Sequence, residues 1–174
     1  LTYAESPYGV GNSSGSGSAA VALPEGAKEG PNRIPTFVDY EKGMKYAKDN
    51  NKAVLLDFTG HACVNCRKME ENVWSEPDVL SKLQNDVVLI SLYVDDKEAL
   101  PEAEQYISET TGKSIKTVGN KWSDFQIKNY QANAQPYYVV LDGDGNRMNE
   151  PIGYTPDKEE YLNWLTEGIN KFNK

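Results

Sequence analysis

Soft metal ligands are scarce in this chain: two cysteines and one histidine are all that its 174 residues hold. A structural zinc site draws four ligands mostly from Cys and His, and three fall short of that set. The two cysteines, Cys63 and Cys66, lie too close in sequence for a scaffold role. A bridge between them would close almost no loop and would hardly constrain the unfolded chain. Long apolar runs are also missing, since none approaches the roughly 20 residues that cross a bilayer. Positive charge is in deficit, with 18 Lys and Arg against 26 Asp and Glu. The resulting net charge of −8 speaks against a nucleic-acid backbone or an anionic membrane as partner. The opening Leu1-Thr2-Tyr3-Ala4-Glu5 has neither a basic nor an apolar region of the signal-peptide kind. A start at Leu1 instead of Met fits a processed form or an excised domain.

What is present divides at about residue 33. Gly9 to Ser18 is a Gly/Ser linker, and a Pro/Gly-punctuated stretch follows it to Pro35. Too little apolar surface lies there to offset the entropy of ordering. Residues 1–33 are therefore expected to be a flexible tail or tether, and residues 34–174 a single domain with one core.

Within that domain Thr36 to Val38 reads as a short strand, and Asp39 caps a helix to about Asn50. Ala53 to Phe58 is a continuous apolar run of strand length, as in a central strand covered on both faces. Thr59 to Ala62 turns the chain, and a helix starts at or beside Cys63. Ser75-Glu76-Pro77-Asp78 opens a further helix to about Asn85, with Ser75 as its cap. Val87 to Val94 is the next strand. Residues 95–121 form an insert, with a short helix expected over Pro101 to Thr110 and a loop from Gly112 to Gly119. A helix from Ser123 to Tyr130 and a strand from Pro136 to Leu141 follow. Asp142 to Gly145 turns into an edge strand near Arg147 and Met148. Asp157 then caps an amphipathic last helix that buries Tyr161, Leu162, Leu165 and Ile169. The order predicts an α/β fold with a central mixed sheet flanked by helices and an insert after the third strand.

The chemistry sits where the second of these strands meets its helix. C-x-x-C beside a strand–helix junction is a dithiol signature. A cysteine at a helix start faces free N–H groups and the positive end of the helix dipole, so its thiolate is stabilised. Cys63 is thus the expected attacking sulfur and Cys66 the shielded, resolving one. Asp57 interrupts an apolar strand. Buried, it needs a partner or a task; at the strand's edge, it would be merely solvated. His61 could tune Cys63 or be an ordinary loop histidine. Asp142-Gly143-Asp144-Gly145-Asn146 imitates a calcium loop but has Arg147 and Gly153 where that loop needs Gly and Glu.

Leu55-Leu56-Asp57-Phe58 ahead of Cys63-x-x-Cys66, with Gln135-Pro136 opening a later strand, resembles the thioredoxin superfamily. More narrowly, Asp57 to Glu70, Val73-Trp74-Ser75 and Ala134 to Tyr138 are similar to one subgroup. This is the C-terminal domain of membrane thiol:disulfide interchange proteins of the DsbD type, in its Bacteroidetes-like form. The resemblance runs from about Phe37 to Phe172. It implies a thioredoxin fold and a protein-disulfide reductase, periplasmic, as a soluble domain of an inner-membrane protein. Electrons would come from a membrane-embedded dithiol and pass to soluble thioredoxin-like partners, with the Cys63–Cys66 pair itself as the only redox group and no metal. It makes Asp57 the acid that takes and returns a proton, and Glu70 a second acid beside the dithiol. The alternative for Glu70 is a plain helix-surface charge. It makes Pro136 a cis-proline facing the cysteines, with Gln135 offering its backbone to a bound chain; a trans proline at a strand start is the alternative. Ala62 stands where many relatives carry Trp, and with His61 it would border the partner. Two other readings stay open: a disulfide isomerase or oxidase on the same fold, and a non-enzymatic chaperone or interaction module.

Overall fold

In the computed structural model, which describes residues 22–174, the chain enters the sheet through β1 (Ala27–Glu29) and β2 (Pro35–Phe37). There follow α1 (Tyr40–Asp49), β3 (Ala53–Thr59), α2 (Val64–Asn72), α3 (Pro77–Asn85) and β4 (Val87–Tyr93). A small hairpin of β5 (Tyr106–Ile107) and β6 (Ser114–Ile115) leads to α4 (Val118–Tyr130), β7 (Tyr137–Leu141) and α5 (Lys158–Asn173). The main sheet has the order β1-β2-β4-β3-β7. Its three inner strands are parallel, and both β1 and β7 run antiparallel to their neighbours. This is the thioredoxin fold with its mixed sheet. No helix among the described residues is long and apolar enough to cross a membrane.

The continuous apolar runs mark strands covered on both sides. All seven residues of β3 are buried, and their side chains alternate between two separate cores. Val54, Leu56 and Phe58 join Val88, Ile90, Leu92, Val139 and Leu141 under α1 and α4. Leu55 joins Leu89, Val140, Met69, Trp74, Tyr161 and Leu165 under α2, α3 and α5. Asp57 shares the parity of Leu55, so the pleat carries its carboxylate into the α2 side. Asp39 caps α1 by accepting the Lys42 N–H at 3.0 Å, as its position before the helix suggests. Asp157 likewise caps α5, accepting from Glu159 and Glu160.

Five local expectations change. The stretch expected to be flexible through residue 33 already contains β1, because Ala27–Glu29 finds a partner in β2; the Gly9–Ser18 run lies outside the described residues. Glu76, not Ser75, is the N-cap of α3, and the Ser75 hydroxyl instead donates back to the Glu71 carbonyl at 2.6 Å. The helix expected over Pro101 to Thr110 is a 3₁₀ turn at Glu102–Glu104 followed by β5. Asp124, buried on α4, accepts from the Tyr106 and Ser108 hydroxyls and draws that segment into a hairpin. α4 itself begins five residues early, where Thr117 and Asn120 form a capping box. The edge strand near Arg147 and Met148 is reduced to isolated bridges, Leu141 to Arg147 and Tyr138 to Ile152. Pro151, between them, has no N–H to give a ladder.

α5 lies so close to β7 that a Cβ on Gly168 would come within 2.8 Å of Val140. Alanine gains about 1 kcal/mol over glycine in a helix, but overpacking costs typically 1–3 kcal/mol. Gly168→Ala should therefore destabilise in urea unfolding, and Val140→Ala in the same chain should recover part of the loss. A stabilised Gly168→Ala protein would contradict the close approach.

Candidate active site

β3 and β4 stay in register to their last residues, Thr59 beside Tyr93, and the chain then leaves the sheet through Gly60, His61 and Ala62. The Cys63 N–H closes this turn on the Gly60 carbonyl at 3.2 Å. Cys63 is the N-cap of α2, with extended φ and ψ of −84° and 106°. Its Sγ accepts the Cys66 N–H at 3.2 Å. The first turn of α2 carries no acidic side chain, so nothing in it opposes the positive end of the helix dipole. Cys63 is partly exposed and Cys66 is 1% exposed. The two are joined as a disulfide, with Cα atoms 5.3 Å apart. Val64, next in sequence, is 66% exposed and gives the rim of the site an apolar point.

Among β3, β4 and α2 lies a small buried polar cluster. Asp57 is 2% exposed, and its Oδ2 accepts the Ser91 hydroxyl at 2.9 Å from the adjacent register position on β4. Burial pushes the Asp57 carboxyl up to about 7, against the pull of the Ser91 hydrogen bond and the Arg67 charge, with Glu70 adding to the rise. Glu70 is 8% exposed, which removes the reading of a solvated surface charge. Its carboxyl is also raised by burial, while Arg67 holds it down. The Arg67 guanidinium donates to Glu70 Oε2 at 3.0 Å and to Thr59 Oγ1 at 3.1 Å. Burial raises the Tyr93 hydroxyl as well, with Asp57 adding to it and Arg67 opposing.

Gln135–Pro136 is a cis bond, immediately ahead of β7. Because Tyr137 pairs with Phe58, that bond stands at the end of β3 from which the Cys63 loop departs. Gln135 donates from Nε2 to Gln126 Oε1 at 3.0 Å, and the fully buried Gln126 donates to the Ala134 carbonyl at 2.9 Å. His61 and Ala62 are exposed. The His61 ring stacks on Tyr93 with centroids 4.1 Å apart, and Lys28 of β1 approaches the same tyrosine at 5.7 Å. Sequence reasoning passed over Ser91, Arg67, Tyr93, Gln126 and Asp95, whose carboxylate binds the loop at His61 and Ala62. One signal was available: Ser91 is the only aliphatic hydroxyl within the apolar run of β4, as Asp57 is the only carboxylate in β3.

The raised Asp57 pKa has a consequence for stability. Between its ordinary value of 3.8 and about 7, the folded protein holds a proton that the unfolded chain releases. Stability is therefore lost as the pH rises through that window and stays lost above it. Asp57→Asn is neutral at every pH. Its unfolding free energy should match that of the unsubstituted protein near pH 4 and exceed it by on the order of a few kcal/mol at pH 8. Urea titrations at both pH values test this, and a difference that does not grow with pH would overturn it.

The thioredoxin-like domain family matches residues 40–169. Thiol:disulfide interchange protein DsbD 2 of Pseudomonas aeruginosa is 41% identical over 46 residues, which make up 26% of this chain and 8% of that protein. Among solved structures, a DsbH oxidoreductase superposes with a TM-score of 0.56 at 15% identity, covering 93% of this chain and 95% of its own. The C-terminal domain of Neisseria meningitidis DsbD in its reduced form gives 0.52 at 18% identity, over 75% and 97%. A thioredoxin from Thermus thermophilus gives 0.51 at 21% identity, over 74% and 82%. At these identities the structural likeness is one of fold. The family match, which covers well over half of the sequence, decides membership: the chain belongs to the thioredoxin-like domain family, and its bridged Cys63 and Cys66 make it a thioredoxin-fold protein of the disulfide oxidoreductase kind.

Proposed function

We propose that this chain is a periplasmic dithiol reductase, acting as the electron-delivering domain of a DsbD-type interchange protein in its Bacteroidetes-like form. The observation that carries the reading is the asymmetry of the pair: Cys63 partly exposed at a helix start and Cys66 buried one turn on, with Asp57 buried in β3, the strand that leads to them. The short, 41% identical stretch shared with DsbD 2 supports the narrower assignment.

In the reduced protein the Cys63 thiolate attacks one sulfur of a partner disulfide. A bond forms from Cys63 Sγ to that sulfur, and the other partner sulfur leaves as a thiolate. Cys66 then loses its proton to Asp57, whose carboxyl is held near neutrality, and attacks Cys63 Sγ. The mixed disulfide breaks, the Cys63–Cys66 bridge forms, and the partner departs with both sulfurs reduced. Two electrons have moved from the chain to its partner. A membrane-embedded dithiol would reduce Cys63–Cys66 again, with no bound cofactor or metal. Gln135 and Pro136 would receive the partner chain in extended form, with His61 and Ala62 at its border.

A stable thiolate stabilises the reduced form and makes a protein an oxidant. The acid-free first turn of α2 therefore favours the second reading, an isomerase or oxidase on the same fold. Asp57 and Glu70 oppose it, because like charge beside the pair disfavours the Cys63 thiolate.

Equilibration with glutathione buffers should give a potential nearer thioredoxin's, about −270 mV, than the periplasmic oxidant's, about −120 mV. A value above about −180 mV would transfer the case to the isomerase or oxidase. Asp57→Asn and Glu70→Gln should each raise the potential. In an insulin-turbidity assay the protein should show thiol-dependent reduction that Cys63→Ser abolishes. Equal traces for the two would leave only a binding module. Cys66→Ser should trap the partner on Cys63, seen as a mixed disulfide in non-reducing gels.

A further inference from the structure

Asp95, two residues beyond the end of β4, spends both carboxylate oxygens on the backbone of the loop that delivers Cys63. Oδ1 accepts the His61 N–H at 2.8 Å and Oδ2 accepts the Ala62 N–H at 3.0 Å. Gly60 completes the seat, because a Cβ there would come within 3.2 Å of Oδ2 and 3.3 Å of Cγ. The absence of a side chain at Gly60 is what lets the carboxylate lie flat against the turn. Burial pushes the Asp95 carboxyl up, yet the Ala62 and His61 N–H bonds outweigh it and leave it below the usual range. It is therefore ionised wherever thiol exchange runs.

The backbone that carries Asp95 is itself held from two sides. The Val94 N–H donates to the Thr59 carbonyl at 2.9 Å, which extends the β3–β4 pairing by one step. On the other flank the Gly119 N–H, in the first turn of α4, donates to the Asp96 carbonyl at 2.9 Å. α4 comes so close that a Cβ on Gly119 would meet the Val94 oxygen at 2.5 Å and the Asp96 nitrogen at 2.7 Å. A side chain rooted between the sheet and α4 thus reaches across to the turn that ends at Cys63.

We infer that Asp95 is a positioning residue for thiol exchange: by binding the His61 and Ala62 N–H groups it holds Cys63 in the N-cap conformation in which Sγ receives the Cys66 N–H. The inference rests on the proposal that Cys63 is the reacting thiol and adds what keeps that thiol in place. A hydrogen bond to a charged acceptor is about twice as strong as a neutral one. Loss of the Cys66 N–H for even part of the time should make the Cys63 thiolate harder to form. Asp95 itself touches neither sulfur in this role.

Asp95→Glu is the decisive variant because it retains the charge and changes only the reach. One more methylene cannot seat both oxygens on the two N–H groups against Gly60. Gly60→Ala disturbs the same seat from the other side, at a glycine whose φ is not in the left-handed region. The surrounding ionisable groups are the same in both variants: Asp57 on β3, Arg67 and Glu70 on α2, Tyr93 on β4 and His61 in the loop.

The test is the pH profile of iodoacetamide alkylation of the reduced full chain, mapped to Cys63 by mass spectrometry. Thermal melting verifies folding, and hydrogen exchange is followed at the His61 and Ala62 amides. Asp95→Glu should move the Cys63 midpoint upward by about one unit, which is about tenfold in thiolate at a pH below both midpoints. Gly60→Ala should move it in the same direction by less. Both should accelerate exchange of the two amides. A folded Asp95→Glu protein whose profile superimposes on that of the unsubstituted chain would overturn the inference, as would faster amide exchange with an unmoved profile. The profile is read on the thiol itself, without a partner protein. Failure of insulin reduction by the unsubstituted chain would count against the reductase proposal and would leave this readout intact.

Discussion

The register of β3 between β4 and β7 is the constraint on which the rest of the molecule depends. Parallel pairing with β4 runs without a break from Ala53–Val87 to Thr59–Tyr93, and antiparallel pairing with β7 runs from Val54–Leu141 to Phe58–Tyr137. A slip of one residue would exchange the two faces of the strand. Leu55 would leave its core, and Asp57 would turn from Ser91 and the α2 side into the aromatic cluster around Phe125. Because both sides of β3 are packed, no such slip is tolerated. The loop at Gly60 therefore starts from one fixed point, and Cys63 arrives at one place.

On that frame the site is built from opposed charges at short range. Asp57 and Glu70 are anions taken out of water, which is expensive unless each finds a partner or a proton. Glu70 finds Arg67 at 3.0 Å. Among the described residues Asp57 has only the Ser91 hydroxyl and the more distant Arg67 charge, so it resolves the conflict by binding a proton near neutral pH. A carboxyl in that condition can accept a proton and return it within a physiological cycle, which suits a dithiol that must lose and regain protons. Arg67 also ties α2 to the end of β3 through Thr59, so one side chain sets both the geometry and the charge balance. Among the described residues the Arg67 Nε is buried without a partner, an asymmetry in an otherwise well-paired cluster.

How much of this was legible follows from the range of the interactions involved. The run Ala53 to Phe58, the break at Gly60, the cysteine at a helix start and the caps at Asp39 and Asp157 are all local. Each is decided by residues within about a turn of one another, and each formed as expected. The insert departs from its expected helix because its conformation depends on Asp124, more than a dozen residues further along, whose carboxylate pulls Tyr106 and Ser108 into a hairpin. Residues 27–29 have the composition of a flexible tail. They became a strand only because the edge of β2 was free to pair.

The candidate site is legible in the chain alone: a C-x-x-C at a strand–helix junction, an acid within an apolar strand, and a proline at the start of a later one. Such patterns are periodic or contiguous, and the chain's own stereochemistry reads them without help from distant residues. What surrounds them is set by the fold. Ser91 reaches Asp57 across 34 positions, and Asp95 reaches His61 across the same number. Asn32 reaches the backbone of Glu70 across 38. Hydrogen bonds and burial act over a few ångströms in space whatever the separation in sequence, so which residues the sheet brings together as partners is not written locally in the chain that encodes them.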